Sequence, residues 1–432
     1  MADGDEGPLR RTFAPHPLRP AVLGEVHARP FHPLATPQRV LHFGFLTDAG
    51  QTGSARAALT DFCQARGIAP PREGSRHFRA EFGGTCLRWE THTEFSSYTW
   101  ELPAGGAAPF TPPPDMASAA MAALPQPGPH LVSVDLHLLA ADTTIDLEQF
   151  FDPASLTASI VEGGAAIVAT DFRPDPSGFV RILVRDLGLG PTRAGALVQR
   201  LLEIETYRLL ALLGLPEAQV AGQHVAGIEK RLAVVARRMT HDGGLEEDRR
   251  LLDELTGLSA ELEAQSAAWA YRAGASRAYD GIVEQRLAGL DEQTFEGWPT
   301  IASFLSRRMG PAMQTVRALE VREADLAQKL MRAGDLLRTR VEVEIERQNR
   351  DLLRSMNERT RMQLRLQQTV EGLSVAAISY YIVGLAGYVL KGLKDAQLLP
   401  VDPSLATAAV VPLAIIGVAL VVRRIRQAHH EG

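Results

Sequence analysis

The stretch from Gly372 to Leu390 reads GLSVAAISYYIVGLAGYVL and contains no charged residue. A second uncharged stretch, Leu405–Val422, follows after a short polar loop. Each has about 18 or 19 residues, close to the roughly 20 that a helix needs to cross the hydrocarbon core of a bilayer. We therefore predict two C-terminal transmembrane helices. The alternative is a hydrophobic hairpin buried in the core of a soluble protein.

Basic residues flank the two apolar stretches on the sides away from the loop that joins them. Seven arginines lie there: Arg354, Arg359, Arg361, Arg365, Arg423, Arg424 and Arg426. In the loop, Lys391 and Lys394 are offset by Asp395 and Asp402. Because Lys and Arg stay on the cytoplasmic side, we expect both termini in the cytoplasm and the protein in the inner (plasma) membrane, with the lipid bilayer as a partner.

Composition narrows the function classes. The chain has 432 residues and a net charge of −6, so it has no broad basic surface and we expect no nucleic-acid partner. Cys63 and Cys86 are the only cysteines, without the Cys/His spacing of a structural zinc site or a disulfide framework. No cofactor is expected, although a divalent cation remains open as a transported or regulatory ion.

The N-terminal part has short, mixed patterns typical of an α+β domain. The predicted strands are Val40–Leu46, His77–Phe82, Thr85–Glu90, Ser97–Leu102, His130–Leu139, Ala165–Asp171 and Phe179–Asp186. The predicted helices are Ser54–Arg66 and Asp115–Ala123. We expect a cytoplasmic α+β domain with a largely antiparallel sheet.

After Thr192 the patterns are helical. One helix ends near Gly214, and another runs from Glu217 to about Met239. A heptad seam then follows: Leu251, Leu255, Leu258, Leu262, Gln265 and Trp269. The glycines and prolines of 293–311 predict a break with one short helix at most.

From Thr315 a continuous helix is expected to run to Leu390. Its apolar stripe is Leu319, Leu326, Leu330, Leu337, Val341, Ile345, Leu352 and Met356. A helix this long cannot cover its own stripe, so it needs the Leu251–Leu287 helix, sister subunits or both. We predict a coiled-coil stalk and a homo-oligomer.

These patterns divide the chain into seven parts. They are an α+β cytoplasmic domain (1–190), a helical hairpin region (191–292), a long stalk helix (293–371), transmembrane helix 1 (372–390), an external loop (391–404), transmembrane helix 2 (405–422) and a basic cytoplasmic tail (423–432).

Three blocks of sequence resemble a bacterial family of membrane-anchored proteins that carries only a domain-of-unknown-function label. They are His16-Pro17 with Gly24–Pro30 (GEVHARP), Leu197–Arg208 (LVQRLLEIETYR), and Gln367–Ser374 (QQTVEGLS) running on to Ile378-Ser379-Tyr380-Tyr381. The resemblance covers nearly the whole chain. It implies no assigned activity.

The order of parts is also similar to that of the CorA family of magnesium transporters. That resemblance implies a cytoplasmic domain, a stalk helix that becomes the first span, a short external loop and a second span. The Gly-Met-Asn signature of the family is absent, and Ala386-Gly387-Tyr388-Val389 and then Lys391 stand in its place. Magnesium selectivity therefore does not carry over.

One stripe of the first span has the composition of a pore lining. Small or polar residues recur at intervals of three or four residues: Glu371, Ser374, Ala377, Tyr381, Gly384 and Tyr388. A ring of Glu371 carboxylates at the cytoplasmic mouth would attract cations. The alternatives are that small residues such as Ser374 and Gly387 let two helices pack closely, and that Glu371 is an interfacial charge.

A second candidate site is the Glu-x-His pair formed by Glu25 and His27, which would share one face of a strand and hold a metal ion. Neighbouring prolines favour turn and salt-bridge contacts for these residues instead. Nucleophile, phosphate-loop and zinc-protease motifs are absent, so we expect no catalytic residues and no enzyme.

Three functions follow in order of preference. The first is a CorA-like oligomeric cation transporter or channel, and the second is a membrane-tethered scaffold or sensor without transport. A membrane-bound enzyme using the segment of Glu25 and His27 is the third.

Overall fold

The computed structural model describes residues 16–19, 22–23, 31–47, 51–82, 84–104, 108–111, 121–241, 243–396 and 402–430. The chain divides into two compact units. The first unit comprises Met1–Val234 and Thr256–Met331, and the second comprises Val235–Leu255 and Arg332–Gly432.

One sheet organises the first unit. In the described residues its strands are β1 (Gln38–Leu46), β2 (His77–Phe82), β3 (Thr85–Thr91), β4 (Phe95–Pro103), β5 (His130–Leu139), β6 (Thr157–Val161), β7 (Ala166–Pro174), β8 (Val180–Asp186) and β9 (Gln293–Thr294). Their spatial order is β2-β3-β4-β1-β5-β8-β7-β6-β9. Neighbouring strands are antiparallel except β5 and β8, which are parallel. The expectation of a largely antiparallel sheet is confirmed.

Most of the described helices come after the strands of the sheet in the sequence. They are α1 (Gln51–Gln64), α2 (Gly190–Leu212), α3 (Gly214–Arg238), α4 (Gly244–Ala288), α5 (Ile301–Asp395) and α6 (Pro403–His430). A mixed α/β sheet domain is therefore followed by one long helix and a further apolar helix.

Most predicted elements lie where the sequence placed them, and the exceptions are short. The sequence missed β6 and the two-residue β9, which pair with each other at the edge of the sheet. The predicted helix Asp115–Ala123 lies mainly outside the described residues.

The predicted break at 293–311 is wrong in its second half, because α5 begins at Ile301 and continues through Pro311. The carboxylate of Glu292 accepts hydrogen bonds from the backbone N–H groups of Ile301 (3.0 Å) and Ala302 (2.8 Å), which caps the helix. Pro311 removes one backbone donor. Met309 and Met313 on either side of it are buried, and this packing keeps the helix continuous.

Each face of the sheet is covered by a different helix. On one face, Leu59 and Phe62 of α1 pack on Trp89, Tyr98 and Trp100. On the opposite face, an apolar stripe of α2 that includes Leu197 and Leu201 packs on side chains of β5, β7 and β8, among them Leu136, Val168 and Val184. Burying each such side chain contributes about 1.5–3 kcal/mol.

Within the first unit, α5 contacts both α3 and α4. The indole Nε1 of Trp269 on α4 donates to both carboxylate oxygens of Glu323 on α5, at 3.0 Å each. The seam residues Leu258 and Leu262 are buried. In the second unit, Arg340 donates to the carbonyl oxygen of Met239 at 2.6 Å. Supercoiling of these helices stays a prediction.

Candidate functional site

Helices α5 and α6 are long and apolar enough to cross a membrane. Their most apolar windows have mean hydropathies of 1.8 and 2.7. Only 6% and 11% of these windows are buried. A core helix of a soluble protein would be mostly buried, so the chain itself does not enclose this hairpin in a core.

One face of α5 packs against α6. A Cβ on Gly387 would lie 3.6 Å from the side chain of Thr407, so the two backbones approach closely there. Ser379 on α5 and Ala414 and Val418 on α6 are buried among exposed neighbours. Small residues make up most of this contact, which is a kind of packing that is typical of membrane helix pairs.

The predicted pore stripe lies mostly on the other face of α5. At about 100° per residue, Tyr388 lies about 180° from Ser379, and Ala377, Tyr381 and Gly384 lie near Tyr388. All four are exposed. The structure therefore brings these four stripe residues together on a face that α6 does not cover.

The N-terminal end of the stripe has a different environment. Glu371 and Ser374 line a cavity of about 460 Å³ together with Val370 and with Val422 of α6. Glu371 accepts a hydrogen bond from the side chain of Gln367 at 3.1 Å. The hydroxyl of Ser374 donates to the carbonyl of Val370 at 2.8 Å. These contacts hold the carboxylate at the end of the hairpin.

The other candidate pair, Glu25 and His27, lies outside the described residues. Among the residues that the structure does describe, no three His, Cys, Asp or Glu side chains are grouped to hold a metal ion. The two cysteines are buried, and burial raises the pKa of the Cys63 thiol. Burial and the nearby Glu101 raise the pKa of Cys86 to about 12. Neither thiol is ionised near neutral pH.

Sequence reasoning missed a polar surface inside the first unit. Three rows of side chains cross β2, β3 and β4 on the face towards α2, and the middle row continues to β1. The rows are His77–Glu90–Ser97, Arg79–Arg88–Thr99–His42 and Glu81–Cys86–Glu101. We call this surface the polar half of the sheet. The polar and apolar residues alternate along β3 and β4, which was the available signal. This pattern predicts that the polar face is exposed to solvent, not that a helix covers it.

His42 lies at the centre of the polar half. The hydroxyl of Thr206 on α2 donates to the carbonyl of Leu202 at 2.8 Å, so it accepts from His42 Nε2 at 3.2 Å. Thr99 then donates to His42 Nδ1 at 2.8 Å. Burial, with a smaller effect from Arg88, lowers the pKa of His42 to about 3. The imidazole is therefore neutral.

The segment before β1 also approaches α2. A Cβ on Gly195 would lie 1.9 Å from the carbonyl oxygen of His32, so only glycine fits there. Burial lowers the pKa of His32, and the charges of Arg79 and Arg88 add to this effect. The segment that follows the GEVHARP block therefore lies beside the polar half.

Arg88 connects the polar half to the second sequence block. Its guanidinium donates to Gln199 Oε1 on α2 at 2.7 Å, and Glu90 lies 3.7 Å from it. The same residues and His42 line a cavity of about 20 Å³. That volume suits one water molecule, so the arrangement is a packed polar core and not a substrate pocket.

The comparison with known families covers almost the entire chain. The profile of a family described as Protein of unknown function (DUF3422) matches residues 14–429. The chain belongs to this family. No curated protein and no solved structure matched it. The suspected unknown-function family is confirmed, whereas the resemblance to CorA stays a prediction.

Proposed function

We propose that this DUF3422 protein is an oligomeric protein of the bacterial inner membrane that passes a cation. In this proposal the first spans of several copies surround an axis, the second spans lie outside them, and the α/β domain lies in the cytoplasm.

One observation carries the proposal. The exposed stripe of Ala377, Tyr381, Gly384 and Tyr388 lies on the side of α5 opposite the face packed on α6. A helix that must face an axis and also its own second span needs these two opposed faces. Two tyrosine hydroxyls give the stripe hydrogen-bonding groups that lipid tails cannot satisfy.

Self-association is supported by the charged part of α5 that precedes the first span. Leu352, Met356 and Leu366 there are 60%, 56% and 67% exposed in the single chain. Exposed apolar side chains repeated along a helix favour pairing with the same helix of another copy. The seven flanking arginines support a cytoplasmic location for both ends of the hairpin.

Liposome flux tests cation passage. Full-length protein in liposomes should admit at least one of Na⁺, K⁺, Mg²⁺ or Ni²⁺, and Ala377→Leu should block that flux by filling the axis. Ala376→Leu is the matched control, because Ala376 is exposed but lies about 100° further round the helix. Vesicles impermeable to all four ions, or equal effects of the two variants, would contradict the proposal.

Native mass in detergent tests the assembly. A ring of five copies would support it, since five first spans can enclose a path. A dimer would exclude it, because two first spans cannot.

The second candidate is a membrane-tethered scaffold or sensor without transport. Lys391 and Lys394 favour it, because they place positive charge at the outer end of the first span, where a cation would enter. Impermeable vesicles together with a protein partner that co-purifies with the full-length chain would support this function.

A further inference from the structure

A cavity of about 440 Å³ lies in the first unit, between β7, the end of α2 and the start of α5. This volume is within the range of small-molecule sites, about 300–1,000 Å³. Leu212, Leu305 and Met309 provide apolar wall. Three arginines, Arg173, Arg208 and Arg308, also line it.

A bulge in β7 shapes one side of the cavity. Thr170 pairs with Ile182, but the next paired residue is Pro174, opposite Val180. The intervening residues leave the ladder, and Phe172 adopts a left-handed φ of +56°. Non-glycine residues rarely adopt this conformation, and such strain often occurs at functional sites. The bulge turns Phe172 towards α5.

Phe172 joins a stack of four side chains along the cavity wall. Its ring stacks on Phe304 with centroids 5.5 Å apart and an interplanar angle of 20°. The guanidinium of Arg208 lies 5.1 Å from the Phe172 centroid, and that of Arg308 lies 3.7 Å from the Phe304 centroid. The rings therefore hold two arginines in fixed positions.

The charges differ in how firmly they are held. Arg208 donates to the buried Glu205 at 2.9 Å, and Asp171 accepts from the backbone N–H groups of Asp152 and Arg173 at 3.1 Å each. Arg173 pairs with Asp152 in an exposed contact, and such contacts are weak. Arg308 has no ion-pair partner among the described residues. Arg173 and Arg308 are thus available at the rim of the cavity to bind a ligand.

We propose that this cavity binds a small amphipathic anion, with a phosphate or carboxylate group at Arg308 and Arg173 and an apolar body against Leu305 and Met309. Guanidinium groups match both head groups by paired hydrogen bonds. The site is independent of any ion path through the membrane.

Isothermal titration calorimetry on the full-length protein in nanodiscs tests the site. The probes are phenyl phosphate, benzoate, phenol and inorganic phosphate. Phenyl phosphate or benzoate should bind, and phenol and inorganic phosphate should each bind about tenfold more weakly or not at all. The stronger of the two anions identifies the head group.

Two neighbouring arginines provide a matched pair of variants. Arg308→Gln should weaken binding about tenfold, since it removes a charge-assisted contact. Arg307→Gln should leave binding unchanged, because Arg307 is exposed, donates to the carbonyl of Ser303 and does not line the cavity. Phe172→Gly, which suits the left-handed backbone, should also weaken binding. Equal binding of phenol and phenyl phosphate, no binding of either anion, or equal losses in the two arginine variants would overturn the proposal.

Discussion

The face of the sheet beneath α2 has two halves of opposite character. Val134, Leu136 and Val184 belong to an apolar core under α2, whereas His42, Arg88 and Glu90 form the polar half on neighbouring strands. The apolar half and the centre of the polar half are both buried: Leu136 is 0% exposed and Arg88 is 8% exposed. One helix covers both surfaces because its own sides differ, with Leu197 and Leu201 on one side and Gln199 and Thr206 on the other.

The difference shows two ways of specifying one packing arrangement. The apolar half is stabilised in proportion to the area that it removes from water. The polar half gains little net free energy from each hydrogen bond, but a missing partner leaves a buried group unsatisfied. We therefore expect the apolar half to provide most of the stability. The polar half should determine the register of α2 on the sheet and how the free energy of unfolding depends on pH.

The largest effect is expected in the apolar half. Leu136→Ala should lower the free energy of unfolding by about 2–5 kcal/mol, since it leaves a cavity under α2. Urea unfolding of the full-length protein in detergent, followed by tryptophan fluorescence, measures the change. A loss below that range would mean that α2 can move to fill the space, and that the two halves are less distinct than their packing indicates.

The next largest effect is expected from acid, which should destabilise the polar half. The pKa of His42 is lowered to about 3 in the folded protein from 6.5, so its contribution to stability is complete above pH 6.5 and is lost as pH falls towards 3. Between pH 6.5 and 5 this loss is about 2 kcal/mol. His137, whose pKa is also lowered to about 3 by burial, on the other face, should add a similar loss.

The variant His42→Leu separates the two histidines. It cannot take up a proton, so its unfolding free energy should fall less steeply between pH 6.5 and 5 than that of the wild type, in which His42 acts together with His137 and His32. Urea unfolding at the two pH values checks this. Identical slopes for wild type and variant would show that His42 can be protonated in the folded state, and that its pKa is not lowered there.

Gly195 tests how closely the segment before β1 must approach α2. Gly195→Ala should destabilise the protein by about 1–3 kcal/mol, because the new Cβ meets a backbone oxygen, which cannot rotate away. Gly227→Ala on α3 is the control, since nothing lies within 4 Å of its Cβ position. That substitution should be neutral or stabilising in a helix. Equal thermal midpoints for the two variants would contradict the close approach.

The sequence predicted elements whose patterns are local. Strand His130–Leu139 alternates and was placed with its observed bounds, and the apolar segments of α5 and α6 were evident from hydropathy. The continuation of α5 through Pro311 was missed because buried neighbours, not local propensity, keep that helix intact. Similarly, nothing near His42 in the sequence indicates Thr206, which lies 164 residues further along the chain.

The candidate sites divide in the same way. Helical periodicity was enough to group Ala377, Tyr381, Gly384 and Tyr388 on one face, because that grouping depends only on the turn of a single helix. The cavity beside Phe172 depends on a bulge, on a left-handed backbone and on the ring of Phe304, which comes 132 residues later. Patterns in the sequence do not indicate contacts of this kind.

The smallest effect is expected at the outer edge of the polar half. Glu81 is 82% exposed and lies 3.7 Å from Arg79, so Glu81→Gln should change stability by less than about 0.5 kcal/mol. Glu101 is in the same row and faces Arg79 at 3.5 Å, but its side chain is only 8% exposed. Glu101→Gln should therefore cost more than Glu81→Gln in the same urea assay. If the two variants are equally harmless, burial does not decide the importance of these charges, and the polar half behaves as solvated surface in spite of the helix above it.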